Sequence, residues 1–93
     1  MFETDREALV ALYNATGGAS WSKNENWNTD ANLSKWHGVQ VDGDGRVVSL
    51  RLDYNNLQGY IRAELGKSEA LQKLSLRENK LSGEYSRPRF LRD

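Results

Sequence analysis

Residues 47–61 read VVSLRLDYNNLQGYI, and 24 positions later residues 71–85 read LQKLSLRENKLSGEY. Five of the seven positions that define the shared pattern are identical in the two copies. A fixed period of this length, with leucine, asparagine and glycine in one register, is typical of a repeat solenoid, and it indicates a binding surface before it indicates a catalyst. The seven pairs are Val47 and Leu71, Leu50 and Leu74, Leu52 and Leu76, Asn55 and Asn79, Leu57 and Leu81, Gly59 and Gly83, and Ile61 and Tyr85.

Each position in the pattern has a physical role. Leu50 and Leu52, like their counterparts 24 residues later, alternate along a short strand, so both point into the coil while the residues between them face outward. Asn55 and Asn79 follow the two strands where the chain must turn. We expect their amides to form a structural ladder that satisfies buried backbone groups of the turn and of the neighbouring coil. The sequence therefore predicts two parallel strands.

The outward strand positions form the candidate binding face, which we expect to be concave. With a 24-residue offset, Asp53 should lie beside Arg77. The alternative is a solvated face on which this pair is worth about 0–1 kcal/mol. Two strands also offer less than the roughly 800 Å² per partner that a stable interface usually buries. The candidate residues are Ser49, Arg51, Asp53 and Tyr54 from the first strand, and Lys73, Ser75, Arg77 and Glu78 from the second.

Charge and hydropathy argue against two classes of partner. Thirteen basic residues balance thirteen acidic ones, so no global field recruits nucleic acid. Residues 1–46 hold four basic and seven acidic side chains, a net of −3, whereas residues 47–93 hold nine and six, a net of +3. No apolar stretch reaches the ~18 residues that a membrane span needs, so we expect no membrane insertion.

Catalytic, metal and cofactor chemistry find no support in the sequence. Cysteine is absent, and the single histidine, His37, cannot form a metal site alone. Residues 42–45 read DGDG and suggest a calcium loop, but they lack the third oxygen ligand and the distal glutamate that calcium requires, so a hairpin turn is favoured. No nucleophile elbow or zinc-helix motif is present. We predict no enzyme activity, no metal and no cofactor.

Two features of the sequence bear on the cellular location. The first residues lack both the basic segment and the apolar run of a secretory signal. Together with the absence of cysteine, this favours the cytoplasm, and the alternative is the extracellular part of a processed or longer protein. Asn14 and Asn32 each begin an Asn-X-Ser/Thr triplet, so both are candidate glycosylation sites if the chain enters the secretory pathway.

The first 46 residues are predicted to form a cap rather than a repeat. Thr4 followed by Glu7 is a capping box, and Asp5 and Glu7 are also favoured by the helix dipole. Apolar residues recur at helical spacing behind them. We expect a helix from about residue 5 to 15, ended by Gly17 and Gly18. A polar loop anchored by Trp21 and Trp27 should follow.

A hairpin should complete the cap. Val39 and Val41 alternate with polar residues, the turn-rich residues 42–45 follow, and residues 46–52 return as the strand that enters the first repeat. The large apolar residues of this segment should build the cap core, because a cysteine-free cap needs large apolar side chains to hold together. The predicted core residues are Leu9, Leu12, Trp27 and Trp36.

Three segments, taken in order, resemble the N-terminal cap and first repeats of plant-type leucine-rich repeat proteins: DREALVALYNATGGASW (5–21), KWHGVQV (35–41) and GRVVSLRLDYNNLQGYIRAELG (45–66). This family occurs on receptor-like kinases and in related repeat proteins of algae, protists and bacteria. In secreted plant members the cap reads CxWxGVxC. Here Ser34 and Val41 stand at the cysteine positions, while Trp36, Gly38 and Val39 match, so the cap resembles the cysteine-free caps of algal, protist or bacterial relatives.

The resemblance implies an α/β fold, in which a short leucine-rich repeat solenoid of parallel strands follows a helical and hairpin N-terminal cap. The expected organisation is a cap at residues 1–46, two repeats at residues 47–85, and a tail or improvised C-terminal cap at residues 86–93. The implied function is noncovalent binding of a protein or peptide on the concave strand face. A longer receptor or scaffold, of which this chain is the N-terminal part, is one setting for that function.

Two alternatives remain from the residues. An uncapped solenoid exposes apolar wedge residues, here Leu74, Leu76 and Leu81, so the chain could form a homodimer through its C-terminal repeat edge. The tryptophans could instead stack on a carbohydrate or another small ligand, because aromatic faces suit sugar rings.

Overall fold

The computed structural model of the protein describes residues 3–59 and 70–81, with side chains from residue 5 onward. The predicted roles of the Thr4 side chain, Gly83, Tyr85 and the tail at residues 86–93 lie outside these residues. The described elements are helix α1 (Glu3–Ala15), 3-10 turns at Gly18–Ser20 and Leu33–Lys35, and strands β1 (Val39–Val41), β2 (Val47–Arg51), β3 (Gln58–Gly59), β4 (Lys73–Ser75) and β5 (Lys80–Leu81).

Helix α1 buries one face against the rest of the cap. Leu9 and Leu12, which are separated by about one helical turn, are both 0% exposed. The helix ends at Ala15, and Gly17 then adopts the left-handed backbone (φ +69°) that suits a helix terminus. The helix begins at Glu3, two residues before the predicted start, so residue 4 lies within the helix instead of capping it.

A buried ion pair holds the first turn of α1 against the start of β2. The Asp5 carboxylate is fully buried. Arg46 donates to it through Nε (2.9 Å) and Nη2 (3.0 Å), and the Val47 backbone N–H donates a third hydrogen bond (2.9 Å). The sequence assigned Asp5 only to the helix dipole. The tertiary contact places its carboxylate inside the fold and holds the first turn of α1 against β2.

An aromatic cluster supports the loop that follows α1. Trp21, Trp27 and Trp36 are 5%, 4% and 2% exposed. The Trp27 ring centroid lies 4.8 Å from that of Trp21 and 5.0 Å from that of Trp36. This burial favours the prediction that the tryptophans build the cap core, because their faces pack inside the cap, and it lends no support to the alternative in which they bind a sugar. The three indole N–H groups donate to the backbone carbonyls of Thr16, His37 and Ala31.

Strands β1 and β2 form an antiparallel hairpin in which Val39 pairs with Leu50. Asp42 shapes its turn, since Oδ1 accepts the backbone N–H groups of Asp44 (2.9 Å) and Arg46 (3.0 Å). Self-capping of this kind is typical of an aspartate that starts a turn. Strand β2 spans Val47–Arg51 and not residues 46–52, because Arg46 closes the turn by accepting the Asp42 N–H.

The two repeats pair with the offset that the sequence carries. Strand β4 lies parallel to β2, with Leu50 opposite Leu74, and the order of this sheet is β1, β2, β4. A second parallel pair, β3 and β5, follows the turns. Leu50, Leu52 and Leu57 are buried beneath the strands. The wedge leucines of the second repeat, Leu74, Leu76 and Leu81, pack against this core and are only partly buried.

Asn55 and Asn79 place their amides between successive coils. Asn79 Oδ1 accepts the backbone N–H groups of Asn55 (2.9 Å) and Leu57 (3.0 Å), and its Nδ2 donates to Leu52 O (2.9 Å). Asn55 reaches in the other direction: its Oδ1 accepts the Lys23 N–H (2.6 Å), and its Nδ2 donates to Lys23 O (2.8 Å). One amide therefore joins the two repeats, and the other joins the first repeat to the cap loop.

Replacing Asn79 with alanine should lower the free energy of unfolding by about 1–3 kcal/mol, because it leaves backbone groups of the first repeat without partners. Urea unfolding followed by circular dichroism measures this change. The matched control is Asn32→Ala: Asn32 is exposed and makes no side-chain capping hydrogen bond, so a change within about 0.5 kcal/mol is expected. An Asn79→Ala midpoint and slope equal to those of the wild type would contradict the ladder role.

Candidate functional site

The outer face of the three-stranded sheet brings predicted binding residues together. The pairing of β1, β2 and β4 places Gln40, Ser49 and Lys73 side by side in one row. Two residues further along the strands, Arg51 and Ser75 form the next row. Since side chains alternate between the faces of a strand, these residues share the face that points away from the buried leucines.

An open groove of about 670 Å³ runs along this face. The corner between the second 3-10 turn and β1 forms one side of it, and β2 and β4 supply the remainder. We call it the strand-face groove. Four of the eight predicted binding residues line it, namely Ser49, Arg51, Asp53 and Lys73. Its full lining is Ser34, Trp36, His37, Gly38, Val39, Gln40, Ser49, Arg51, Asp53 and Lys73.

Asp53 is held in place by the second repeat. Its Oδ1 accepts the Ser75 hydroxyl (2.6 Å) and the Arg77 backbone N–H (2.7 Å). Asp53 therefore lies beside Arg77, as the 24-residue offset predicted. The contact is made by the Arg77 backbone, and the described residues show no ion pair between the two side chains, which was the alternative. The Ser75 hydroxyl foremost, followed by the Arg77 N–H and the charges of Arg51 and Arg77, lowers the pKa of Asp53 despite an opposing effect of burial.

Ser75→Ala should raise the pKa of Asp53 toward its ordinary value, because the mutation removes the strongest stabilising donor. A carboxylate whose pKa is lowered by folding stabilises the fold above its unfolded pKa, and that contribution is lost as the pH falls through the folded value. The variant should therefore lose stability at neutral pH and show a weaker acid dependence. Carboxyl ¹³C titration of Asp53 by NMR measures the shift, with Ser49→Ala on the same face as the control. An identical Asp53 titration in Ser75→Ala would contradict the assignment.

The sequence predicted Tyr54 and Glu78 as outward residues of the two strands, but both lie in the turns that follow the strands. Both adopt left-handed backbone, with φ of 54° and 56°. Bulky residues rarely occupy this region, and its recurrence at equivalent positions of both repeats indicates that the turn of the coil imposes it. Tyr54 is 73% exposed. Neither residue lines the strand-face groove, because the chain has already turned away from the strand there.

The cap side of the groove was not predicted. Gln40 lies between Val39 and Val41, so the alternation that identified the hairpin also carried the signal for its outward side chain. Contacts with the cap loop hold His37 beside the groove. Its backbone N–H donates to Glu25 O (3.1 Å), and its ring Nδ1 lies 3.7 Å from Glu25 Oε1.

Gly38 allows the cap corner to approach β2 closely. Its carbonyl accepts the Arg51 N–H (2.8 Å), and its φ is +80°. A Cβ at this position would lie 2.2 Å from the Arg51 carbonyl oxygen, so only glycine fits. This close contact sets the position of the groove wall relative to its floor.

The two candidate glycosylation sites differ in their surroundings. Asn14 and Asn32 are both exposed, the first on α1 and the second directly before the 3-10 turn at Leu33–Lys35. In the first triplet, Thr16 is fully buried, and its hydroxyl donates to Leu12 O (2.7 Å). In the second triplet, Ser34 is exposed. The loop triplet is therefore the more accessible one.

The chemistry of the groove is polar and charged. Its lining includes one carboxylate, Asp53, and one imidazole, His37. Within residues 3–59 and 70–81, no three histidine, cysteine, aspartate or glutamate side chains are grouped so that they could hold a metal ion. Nor does any helix in the described part of the chain have the length and apolar character needed to cross a membrane.

Part of each of several plant receptor-like kinases is similar in sequence to this chain. No protein-family model matches the chain. A probable inactive leucine-rich repeat receptor-like protein kinase of Arabidopsis thaliana is 35% identical over 77 residues, which cover 82% of this chain and 11% of that protein. The receptor-like kinase TMK4 of the same plant is 36% identical over 79 residues, covering 85% and 8%. The chain thus spans about a tenth of the length of these relatives.

Solved structures of bacterial proteins share the fold. A leucine-rich repeat protein from Bacteroides eggerthii superposes with a TM-score of 0.70 at 27% identity, over 78% of this chain and 12% of that protein. A leucine-rich repeat protein from Bacteroides thetaiotaomicron has a TM-score of 0.70 over 96% of this chain and 13% of that protein, and its 21% identity supports the fold alone. With the 24-residue repeat and its parallel register in the sheet, these similarities show that the chain belongs to the leucine-rich repeat proteins.

Proposed function

We propose that this chain is a noncovalent protein-interaction module that binds a peptide or a protein segment in the strand-face groove. The observation that carries the proposal is the alignment of Gln40, Ser49 and Lys73 across three adjacent strands, on the open face of the sheet. Amide, hydroxyl and ammonium groups in one row offer both donors and acceptors to a bound backbone. Rigid strands hold them in place, so binding does not require the face to be ordered first.

The size of the groove favours an extended peptide over a large folded partner. A stable interface between folded proteins buries roughly 800 Å² on each side, which two repeats do not readily supply. An extended segment needs less surface, because it presents alternate side chains and backbone groups along its length. In a longer receptor or scaffold, this groove would form one part of a longer binding face.

Selection of a peptide library on the immobilised chain, followed by NMR mapping, tests the proposal. We expect bound peptides to shift the backbone amide signals of Gln40 and Ser49. Ser49→Trp should fill the groove floor and weaken binding at least about tenfold, a loss of about 1.4 kcal/mol. Gln58→Trp is the matched control, because Gln58 is exposed on β3, away from the groove. Peptides that bind both variants equally well and shift neither amide would overturn the proposal.

Self-association is a second candidate function, favoured by the position of β4. In the described residues, β4 pairs with β2 on one side only, and the partly buried Leu74 and Leu76 lie in the same repeat. A strand edge is a template for pairing with a second copy. Dimer formation through this edge should appear in analytical ultracentrifugation as a rise in sedimentation coefficient over about a hundredfold range of concentration. A strict monomer throughout that range would exclude it.

A further inference from the structure

We infer that the strand-face groove selects acidic peptides, with a glutamate or aspartate side chain of the ligand bound between Arg51 and Lys73. This inference rests on the proposed function and names the chemistry of its ligand. Both cations line the groove, and both are exposed. The strand register places the two side chains next to each other. Their charges are available to a ligand, because no described side chain forms an ion pair with either of them.

The register sets the spacing of the two cations. Lys73 pairs with Ser49, and Arg51 is two residues further along the same strand as Ser49, on the same face. With neighbouring strands about 4.8 Å apart and about 3.3 Å of rise per residue, the two Cα atoms are about 8 Å apart on a diagonal. Long, flexible side chains at that separation can converge on a single carboxylate, to which the guanidinium offers a bidentate fork and the ammonium a point charge.

Within the part of the chain that the structure describes, neither cation is engaged by an ion pair. In the described ranges, Arg51 and Lys73 form no ion pair and no side-chain hydrogen bond, and the ion pair that does occur joins Arg46 to Asp5. A ligand carboxylate would therefore gain charge-assisted hydrogen bonds without breaking an existing pair.

Among the described residues that line the groove, Asp53 is the one anion, and one of its oxygens is already occupied. Its Oδ1 accepts two hydrogen bonds from the second repeat, from the Ser75 hydroxyl and the Arg77 N–H. It remains ionised, since those donors and the nearby arginine charges lower its pKa. We assign it a positioning role, in which its charge attracts the Arg51 guanidinium toward the groove without closing an ion pair.

The charge of Asp53 also favours a peptide with a single carboxylate over a nucleic acid as the ligand of the groove. A strand of nucleic acid would bring several phosphates along the groove, and one of them would meet the Asp53 charge. Recognition of single strands also relies on exposed aromatic faces for base stacking. Of the two aromatic rings among the described residues that line the groove, Trp36 is 2% exposed and the His37 imidazole is half-buried, so neither offers a fully exposed face. The remaining neutral groups, Gln40 and Ser49, match the backbone amides of an extended peptide.

The test uses the full chain and a library of random twelve-residue peptides that are acetylated and amidated, so that every carboxylate comes from a side chain. Selected peptides should be enriched in glutamate or aspartate at one position. Replacing that residue with its amide, Glu→Gln or Asp→Asn, should weaken binding at least about tenfold, in proportion to a charge-assisted hydrogen bond. The same replacement should have no effect on binding to the double variant Arg51→Gln, Lys73→Gln.

Reversing the charge of the two cations provides a second test, in which a new binding preference is expected. The double variant Arg51→Glu, Lys73→Glu should lose the acidic peptide and select lysine-rich or arginine-rich sequences from the same library. Lys80→Glu is the matched control, since Lys80 is exposed on β5 and does not line the groove. It should retain the affinity and the preference of the wild type. Unfolding midpoints of all variants establish that they are folded, which is expected because the replaced side chains are exposed.

The outcomes separate this inference from the function on which it rests. If peptides shift the Gln40 and Ser49 amides but show no preference for acidic residues, the inference fails and the proposed function stands. If no peptide binds at the groove, both fail. A parallel library of the same peptides with free C-termini serves as a comparison. If peptides are selected only from that library, Arg51 and Lys73 bind the terminal carboxylate of a peptide, which would overturn the assignment to a side chain. Tighter binding of a twelve-nucleotide single-stranded DNA than of the acidic peptide would also overturn it.

Discussion

Trp36→Ala is expected to lower the free energy of unfolding by about 3–5 kcal/mol. Trp36 is the largest fully buried side chain among the described residues, at 2% exposed. Its ring packs at 5.0 Å from Trp27, its indole N–H donates to Ala31 O (3.2 Å), and the Arg6 guanidinium lies 5.3 Å from its centroid. Truncation would leave a cavity at the centre of the cap. Since a chain of this size has a total stability of about 5–15 kcal/mol, much of it would be lost.

Circular dichroism during urea unfolding measures this loss without depending on the fluorescence of the deleted residue. Tyr54→Ala is the control, because it removes an aromatic ring that is 73% exposed and should change stability by no more than about 0.5 kcal/mol. Trp36→Phe should have an intermediate effect, since phenylalanine still places an aromatic ring in the core but lacks the indole N–H that donates to Ala31 O. A Trp36→Ala variant that remains as stable as the wild type and fails only in peptide binding would reverse the role we assign to this residue.

The sequence predicted the part of the fold that periodicity encodes. The 24-residue spacing that pairs Leu50 with Leu74 in the sequence is the register of β2 and β4 in the sheet. That agreement has a physical basis: each repeat must bury its leucines against the same residues of its neighbour, so the period in the sequence becomes a translation in space. The alternation of Val39 and Val41 likewise predicted a hairpin, because only one side of the strand faces the core.

Contacts between distant and dissimilar segments could not be predicted in this way. Asp5 was assigned to the helix dipole, whereas it pairs with Arg46, 41 residues away. The Asn55 amide binds the Lys23 backbone, 32 residues earlier, in a loop without any periodic pattern. A period constrains which residues share a face, but it does not name the partner of a buried polar group outside the repeat.

In the candidate site, too, the residues that follow the alternation of the strands were predicted, and the contacts between dissimilar groups were not. Ser49, Arg51 and Lys73 were placed on the binding face by alternation, and they line the groove. Tyr54 and Glu78 were predicted to lie on the same two strands, but β2 ends at Arg51 and β4 ends at Ser75, so both residues lie in the turns that follow. The Asp53 contacts involve a hydroxyl and a backbone N–H, which charge pairing alone does not suggest.

Arg46→Met should lower the free energy of unfolding by about 3–5 kcal/mol, because it removes one partner of a buried ion pair and leaves the charge of the other behind. The Asp5 carboxylate is fully buried, while the Arg46 side chain is 24% exposed and donates to both carboxylate oxygens. Methionine keeps the length and apolar stem of arginine, so the loss reports mainly on the guanidinium. Arg51→Met, at an exposed position with no ion pair in the described residues, is the control and should have little effect.

The double variant Asp5→Leu, Arg46→Met decides whether the cost comes from the stranded charge or from the loss of the pair. Replacing both members of a buried ion pair with apolar residues is often close to neutral. Here the Val47 N–H would also lose its acceptor, which costs about 1–3 kcal/mol. The double variant should therefore be more stable than Arg46→Met alone, although less stable than the wild type. If the double variant is the less stable of the two, Asp5 stabilises the fold even without Arg46, as the acceptor of the Val47 N–H, and the cost of Arg46→Met does not come from a stranded charge.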